Sequence, residues 1–457
     1  MTDTVTAGRV DGQERLDAID MVLLWVYLTG LYLGVSLQIT SKIPLTCAPS
    51  GIAGLILLWR WRNRIEPMHL AGLFGVVALF LGSILSASDI SFLDKRFTGL
   101  VQLTYSLVIG YAIFLTLVSG DRDQIAAILL TFCLAIIVGC LLETYGGLRP
   151  LSDKVREHLY AAGYVYDADR RDEILYGKVR PKLFTSEPSA VTFAYTHYCA
   201  AWLVISRWRY KILAYAGLIG LALVVLPGPT LVLMLLLACP YLFFLAGRHG
   251  SGGSTATRLI TAAALSVLIV AVAIVLGKSL FAERIAELQS GRDASFFYRF
   301  TGPMLVAFDI FHRHPWAGSG LTGEPYIAND VLNVYMNSAS FQSAWRIPKI
   351  GDVLTNYFWL HWIYLGIVWG VAIIIGVSLW LRQLGASSIM FCWSVWAILG
   401  QASGSYVGPK TWAVLMIAAA ASVLDARGAR AVAEAAEPSR LDWRLWRRHP
   451  LLTGFHR

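Results

Sequence analysis

Phe296-Phe297-Tyr298-Arg299-Phe300-Thr301-Gly302-Pro303-Met304-Leu305-Val306-Ala307-Phe308-Asp309-Ile310-Phe311-His312-Arg313-His314-Pro315-Trp316-Ala317-Gly318-Ser319-Gly320 sits in a polar, aromatic-rich excursion between two apolar runs. The excursion begins where one run ends, at Gly277-Lys278, and closes inside the next, at Leu354-Thr355-Asn356-Tyr357. It also holds Arg292, Asp293, Glu324 and Asp330, whereas almost everything around it is hydrocarbon-soluble. A membrane protein that keeps so long a polar insert is expected to use it.

Outward from that insert, the 457 residues are 56% hydrophobic and only 15% charged, with a mean hydropathy of +0.59. Soluble domains carry about 25% charged residues, so the class is polytopic membrane protein. A hydrocarbon span needs about 20 mostly apolar residues. That rule predicts about 12 spans: 20–40, 44–59, 67–87, 98–118, 124–143, 189–206, 212–227, 230–247, 258–277, 355–380, 385–402 and 408–424. The expected fold is therefore all-α, a polytopic transmembrane helical bundle with two long loops carrying short amphipathic helices. Its divisions are an N-terminus at 1–19, spans one to five over 20–143, a loop over 144–188, spans six to nine over 189–277, a larger loop over 278–354, spans ten to twelve over 355–424, and a basic tail over 425–457.

Orientation follows from Lys and Arg placement. Arg60, Arg62, Arg64, Arg207, Arg209, Lys211, Arg248, Arg258 and Arg382, with the tail arginines 427, 430, 440, 444, 447 and 448, fall on one side of these spans. That side is expected to be cytoplasmic, with both termini inside and both long loops outside, which is the periplasm if the cell is Gram-negative. The net charge of +9 is then an orientation signal and not a nucleic-acid footprint. Sixteen Trp and twenty Tyr suit belts at the two membrane surfaces. The six cysteines lie in or beside apolar runs without a CxxC pair, which argues against a disulfide framework or a zinc site. The N-terminus lacks a signal-peptide pattern, so the first span is expected to act as an uncleaved anchor. Residues 249–257 read as a flexible linker, and 441–448 as either a basic aromatic surface helix or a disordered tail. No internal repeat is visible, which disfavours repeat-built transporters.

The first long loop ends in Tyr176-Gly-Lys-Val-Arg180-Pro-Lys182-Leu-Phe-Thr-Ser186-Glu187-Pro188. Glu187 has two readings: an acid at a helix start, where Pro and a negative charge both fit, or a carboxylate beside Arg180 and Lys182 acting as general base on a sugar hydroxyl. In the second loop, Phe297, Phe300, Met304, Phe308 and Phe311 recur at helical spacing. They predict an amphipathic helix on the outer leaflet over 295–312. Arg299 near its start could grip an anionic head group, since the planar guanidinium donates to two phosphate oxygens at once. His312 and His314 are candidate acid/base groups or structural residues of the helix end. No third ligand stands near them at metal spacing. Phosphate cradles such as the P-loop are absent from the sequence.

These residues resemble a family. Arg299, the amphipathic helix and His314-Pro315-Trp316-Ala-Gly318-Ser-Gly320-Leu321 resemble the "R…nPlxGxGlg" signature of the O-antigen ligase/Wzy-type polymerase superfamily. Thr355-Asn356, nine residues, then Gly366-Ile-Val-Trp-Gly370 is similar to its "HN-x9-G-x-x-G" segment. The resemblance implies metal-independent, cofactor-free, inverting glycosyl transfer on the outer face of the inner membrane. The implied partners are donor and acceptor glycans on undecaprenyl diphosphate, membrane lipids and a chain-length-regulating protein. By position, Arg299 would contact the diphosphate with Tyr298 and Asn356 beside it, and Arg180, with Lys182, falls in the arginine-bearing segment of the earlier loop.

Two departures set the branch. The ligases' histidine is Thr355 here, and their middle-span arginine is replaced by Leu226-Pro-Gly-Pro-Thr230. Both favour a polymerase, with Glu187 the first candidate base and His312 or His314 the second. An O-antigen ligase and a polytopic transporter or flippase are the alternatives. Transporters place ionisable groups at span centres, and here those groups gather in the two loops.

Overall fold

The computed structural model describes residues 14–38, 44–86, 92–161, 163, 165–228, 230–246, 255–280, 293–342 and 350–436. The basic tail at 441–448, most of the linker at 249–257, Arg248 and Arg292 lie outside the described residues.

Each of the predicted apolar runs contains a helix, although the first run leaves its helix at Leu33 and the second begins in a short strand at Pro44–Leu45. The helices begin with α1 (Ala18–Leu33), α2 (Ala48–Arg60), α3 (Pro67–Leu85), α4 (Leu93–Ser119) and α5 (Arg122–Tyr145). The first long loop contributes α6 (Arg149–Leu159) and α7 (Asp169–Tyr176). Then come α8 (Pro188–Ile205), α9 (Lys211–Val225), α10 (Thr230–Phe244) and α11 (Thr255–Leu280). The second loop holds α12 (Gly302–Arg313) and α13 (Ala328–Met336), followed by α14 (Tyr357–Gln383), α15 (Ile389–Gly400) and α16 (Pro409–Ala436). The one ladder among the described residues is a two-residue hairpin, Leu37–Gln38 on Pro44–Leu45. The chain is thus an all-α bundle. Among the described residues, six helices, α3, α4, α5, α11, α14 and α16, are long and apolar enough to cross a membrane.

The core centres on α16, whose apolar window is 78% buried, against 17% for α11. The run Ala418-Ala419-Ala420-Ala421 keeps α16 thin, so α4, α8 and α15 pack closely on it. Gly110 of α4 serves the same approach, since a Cβ there would lie 3.2 Å from Met416 Cγ. By contrast α11 packs along α10 and exposes Ile260, Val267, Leu268 and Val275. Such a surface suits lipid.

Charges lie at the bundle ends. At one end, buried Arg122 donates to the carbonyls of Ile205 (2.5 Å) and Val204 (3.2 Å), left over where α8 stops, and to that of Leu424 in α16 (2.8 Å). Arg60 pairs there with Asp17 at 2.6 Å and Asp20 at 2.5 Å. Both long loops gather at the opposite end, joined by Arg171 to Asp293 at 3.2 Å.

Two features differ from the periodicity reading. First, Phe297–Thr301 forms a π turn ahead of α12. Its wider turn shifts the register. The face that packs inward is therefore Phe297, Pro303, Val306, Ala307 and Ile310, which takes only Phe297 from the predicted aromatic stripe. Phe308 and Phe311 lie instead against Trp359 and Trp362 of α14, with ring centroids 5.9 and 6.2 Å apart.

Second, α14 is broken at Gly366, where φ is 62° and ψ −164°. The turn after α12 fills the break: Ser319 N–H donates to the Ile363 carbonyl at 2.8 Å, and Ile367 N–H to the Pro315 carbonyl at 2.7 Å. Gly318, at φ 59°, faces the break so closely that a Cβ would sit 2.5 Å from the Ile363 oxygen. Buried Arg96 of α4 closes the turn by donating to the Ser319 carbonyl at 2.8 Å. Gly318→Ala is expected to cost roughly 1–3 kcal/mol from backbone strain alone. A lowered melting temperature in detergent would register it, and an unchanged one would mean that the turn is not docked in this break.

Candidate functional site

The residues that end the first long loop are held from every side. Leu183 and Phe184 adopt positive φ, 35° and 65°, which turns the chain sharply. Buried Glu143 of α5 accepts from the backbone N–H of Lys182 at 3.0 Å and from that of Leu183 at 2.5 Å. Ser152 Oγ accepts from Phe184 N–H at 3.0 Å. Arg156 donates to the Thr185 carbonyl at 2.7 Å and to that of Ser186 at 3.2 Å. Tyr32 Oη donates to the Leu183 carbonyl at 2.8 Å. With its backbone so fixed, Glu187 is delivered as the N-cap of α8, yet its side chain makes no capping bond. The carboxylate lies instead 3.4 Å from Arg299.

Arg299 is set from the second loop. Its π turn is pinned from α14: Asn356 Nδ2 donates to the Arg299 carbonyl at 2.6 Å, and Thr355 Oγ1 to that of Tyr298 at 2.9 Å. Asn356 also donates to Gln401 Oε1 at 2.9 Å and caps α14 through Trp359 N–H at 3.2 Å. The guanidinium donates to Ser189 Oγ at 3.1 Å. Two loops more than a hundred residues apart thus meet in one ion pair.

That pair lies on the wall of a cavity of about 410 Å³, which is also lined by Arg171, Ser189, Tyr298, Lys410 and the segment Ala402–Gly404. Three helices, α8, α14 and α16, begin at it, so their partial positive ends point the same way. In this lining Arg299 and Lys410 stand against the single carboxylate of Glu187, and Arg171 is held at its edge by its ion pair with Asp293. The arrangement favours an anion held beside a carboxylate, and the volume falls within the usual range for ligand pockets, roughly 300–1,000 Å³.

The predicted residues fall in three places. Glu187, Arg299 and Tyr298 line the cavity. Arg180 lines a smaller compartment beside it and pairs with buried Asp172 at 2.8 Å. Burial pulls the Arg180 pKa down, but Tyr176, Asp172 and Tyr166 outweigh it and leave it raised. The remaining residues lie elsewhere. Lys182 is buried and pairs with Asp169 at 2.8 Å. The left-handed turn at Leu183 and Phe184 separates it from Glu187, so the carboxylate's cationic neighbour is Arg299, not Lys182. Asn356 is buried and works as a cap and clamp. His312 is exposed at the α12 end, with Nδ1 2.7 Å from the Phe308 carbonyl, and His314 packs on Tyr326. Neither histidine lines the cavity.

Arg171 and Lys410 escaped the sequence reading. A signal existed for Lys410. It follows Pro409 at the start of a helix, where a cation opposes the dipole, and a residue placed against its local preference invites a functional explanation. Arg171 carries no such mark, since Asp169-Arg170-Arg171-Asp172 reads as an ordinary solvated run. The chain matches no protein-family model and no curated protein sequence.

Proposed function

We propose that this chain is an inner-membrane glycosyltransferase of the polymerase type, joining undecaprenyl-diphosphate-linked repeat units into O-antigen, capsule or exopolysaccharide. In this reading its apolar helices make twelve spans with both termini cytoplasmic, and the cavity opens on the periplasmic face. The observation that carries the proposal is the meeting of Glu187 and Arg299, from separate loops, at one cavity with Arg171 and Lys410.

The chemistry follows from charge. A lipid diphosphate is a leaving group whose negative charge rises as the sugar–phosphate bond breaks, and fixed cations stabilise that charge without reorganising. As the diphosphate takes the Arg299 guanidinium, it competes with Glu187 for the same donor. The carboxylate is then released toward the acceptor. The acceptor hydroxyl oxygen forms the new bond to the anomeric carbon from the face opposite the leaving group. Its proton passes to Glu187, and the sugar–phosphate bond breaks with its electron pair going to undecaprenyl diphosphate.

Polymerase is favoured over ligase by Thr355. The position that ligases fill with histidine is tied here to the Tyr298 carbonyl through its hydroxyl. Placement of the cations at one end of the bundle, where α8, α14 and α16 begin, supports surface chemistry over midplane transport.

Farnesyl diphosphate, which carries the charged group on a short prenyl chain, tests the anion site. It is expected to raise the melting temperature of the purified protein where farnesol does not. Lys410→Ala is expected to weaken its binding roughly tenfold, the loss of one charge-assisted contact. Equal effects of farnesol and farnesyl diphosphate would remove the diphosphate from this cavity.

A further inference from the structure

Behind the wall made by Glu187, Ser189 and Arg299 lies the smaller compartment, of about 70 Å³. Its far side is formed by Tyr166, Asp172, Tyr176, Arg180 and Thr230. Asp172 is buried, and its two oxygens stand in different conditions. Oδ1 accepts from Tyr166 Oη at 2.8 Å and from Arg180 Nε at 2.9 Å. Oδ2 is equally buried, yet it has no hydrogen-bond partner among the described residues. Buried polar atoms are nearly always paired, because an unpaired one keeps the full cost of its lost hydration. A donor from outside the chain is therefore expected at this oxygen.

The surroundings narrow what that donor is. Arg180, Arg171 and Arg299 on the lining repel a cation. Asp172 and Glu187 on the same lining disfavour a second anion. A neutral donor fits both constraints. The space has room for several water-sized groups, enough for a hydroxyl or hydroxymethyl arm of a ring held in the larger cavity. Burial first, and then the bond to Asp172, push the Tyr166 hydroxyl up to about 12, so Tyr166 remains a donor that keeps Oδ1 occupied.

We infer that this compartment is a hydroxyl-recognition subsite for the acceptor sugar, in which Asp172 Oδ2 accepts from a sugar hydroxyl across the wall that carries Glu187. The inference rests on the glycosyl-transfer reading and names a residue, Asp172, that selects the acceptor. Arg180 becomes a positioning residue: by holding Oδ1, it turns Oδ2 to the ligand.

The test uses the full chain in detergent with two probes, measured separately. One is a panel of methyl glycosides of glucose, galactose, mannose and N-acetylglucosamine, followed by saturation-transfer NMR. The other is farnesyl diphosphate, followed by thermal shift. At least one glycoside is expected to bind. Asp172→Asn is expected to weaken it roughly tenfold, the loss of one hydrogen bond to a charged acceptor, while farnesyl diphosphate binding stays unchanged and reports an intact fold. Thr230→Leu, which fills the compartment from the α10 side, is expected to abolish glycoside binding with the same control. Glycoside affinity unchanged in both variants would mean that water occupies the compartment, and the inference fails. Farnesyl diphosphate binding with no glycoside binding also overturns it and leaves the transfer reading standing. Failure of both probes in the wild-type chain overturns the transfer reading itself.

Discussion

Arg299→Lys is expected to lose transfer activity by roughly a hundredfold or more, the scale on which removal of one preorganised donor lowers an enzyme's rate. The charge is kept, so the loss measures geometry. Arginine offers a planar fork that meets two phosphate oxygens together, whereas lysine offers a compact point charge on a flexible stem. The backbone that carries Arg299 is clamped by Asn356 and Thr355 through main-chain carbonyls, and those contacts do not depend on the side chain. The variant should therefore still insert and accumulate, with the same elution profile in detergent as the wild type. Full activity in Arg299→Lys would take the residue out of the site.

The second large effect is at Glu187. Glu187→Gln is expected to lower turnover by about 10²–10⁴, the usual contribution of a positioned general base, while donor binding is retained. Glutamine keeps the shape and can still meet Arg299, but it cannot accept the hydroxyl proton. Glu187→Asp should retain part of the rate, since it keeps the charge and withdraws it by one methylene. The alternative reading of Glu187, as a helix-start acid, makes the opposite forecast: stability would fall with little change in turnover. The missing capping bond argues against it. A Glu187→Gln variant that turns over normally but melts early would establish the capping role.

The bundle was largely legible because it depends on local quantities. Run length and hydropathy are enough to place a helix in lipid, where every backbone group must be satisfied within its own segment, and each predicted apolar run contains a helix. The second loop was less so. The spacing of Phe297, Phe300, Met304, Phe308 and Phe311 fits a regular helix, but the π turn at Phe297–Thr301 moves the register, and that turn is imposed by Thr355 and Asn356 from another part of the chain. The motif glycines were visible as letters only. Gly318 and Gly366 need their backbone freedom because one loop enters a break in a distant helix.

The candidate site was half legible for the same reason. Glu187, Arg299 and Arg180 stood out as polar residues in apolar surroundings. Which cation meets which carboxylate depends on the positive-φ turn at Leu183 and Phe184, for which neither residue type gives notice. Lys410 lies more than a hundred residues beyond Arg299 and reaches the cavity only because α16 begins there.

The central claim is a transfer between lipid-linked glycans. It is tested most directly by reconstituting the purified chain with undecaprenyl-diphosphate-linked repeat units from its own host, no other acceptor, and resolving the products by gel. A ladder of lengthening lipid-linked glycans is the expected result, absent in Arg299→Lys and Glu187→Gln. Donor that remains unconsumed under these conditions, and is consumed only when lipid A-core is added, would contradict polymerisation and make the chain a ligase. Donor consumed under neither condition would contradict glycosyl transfer altogether.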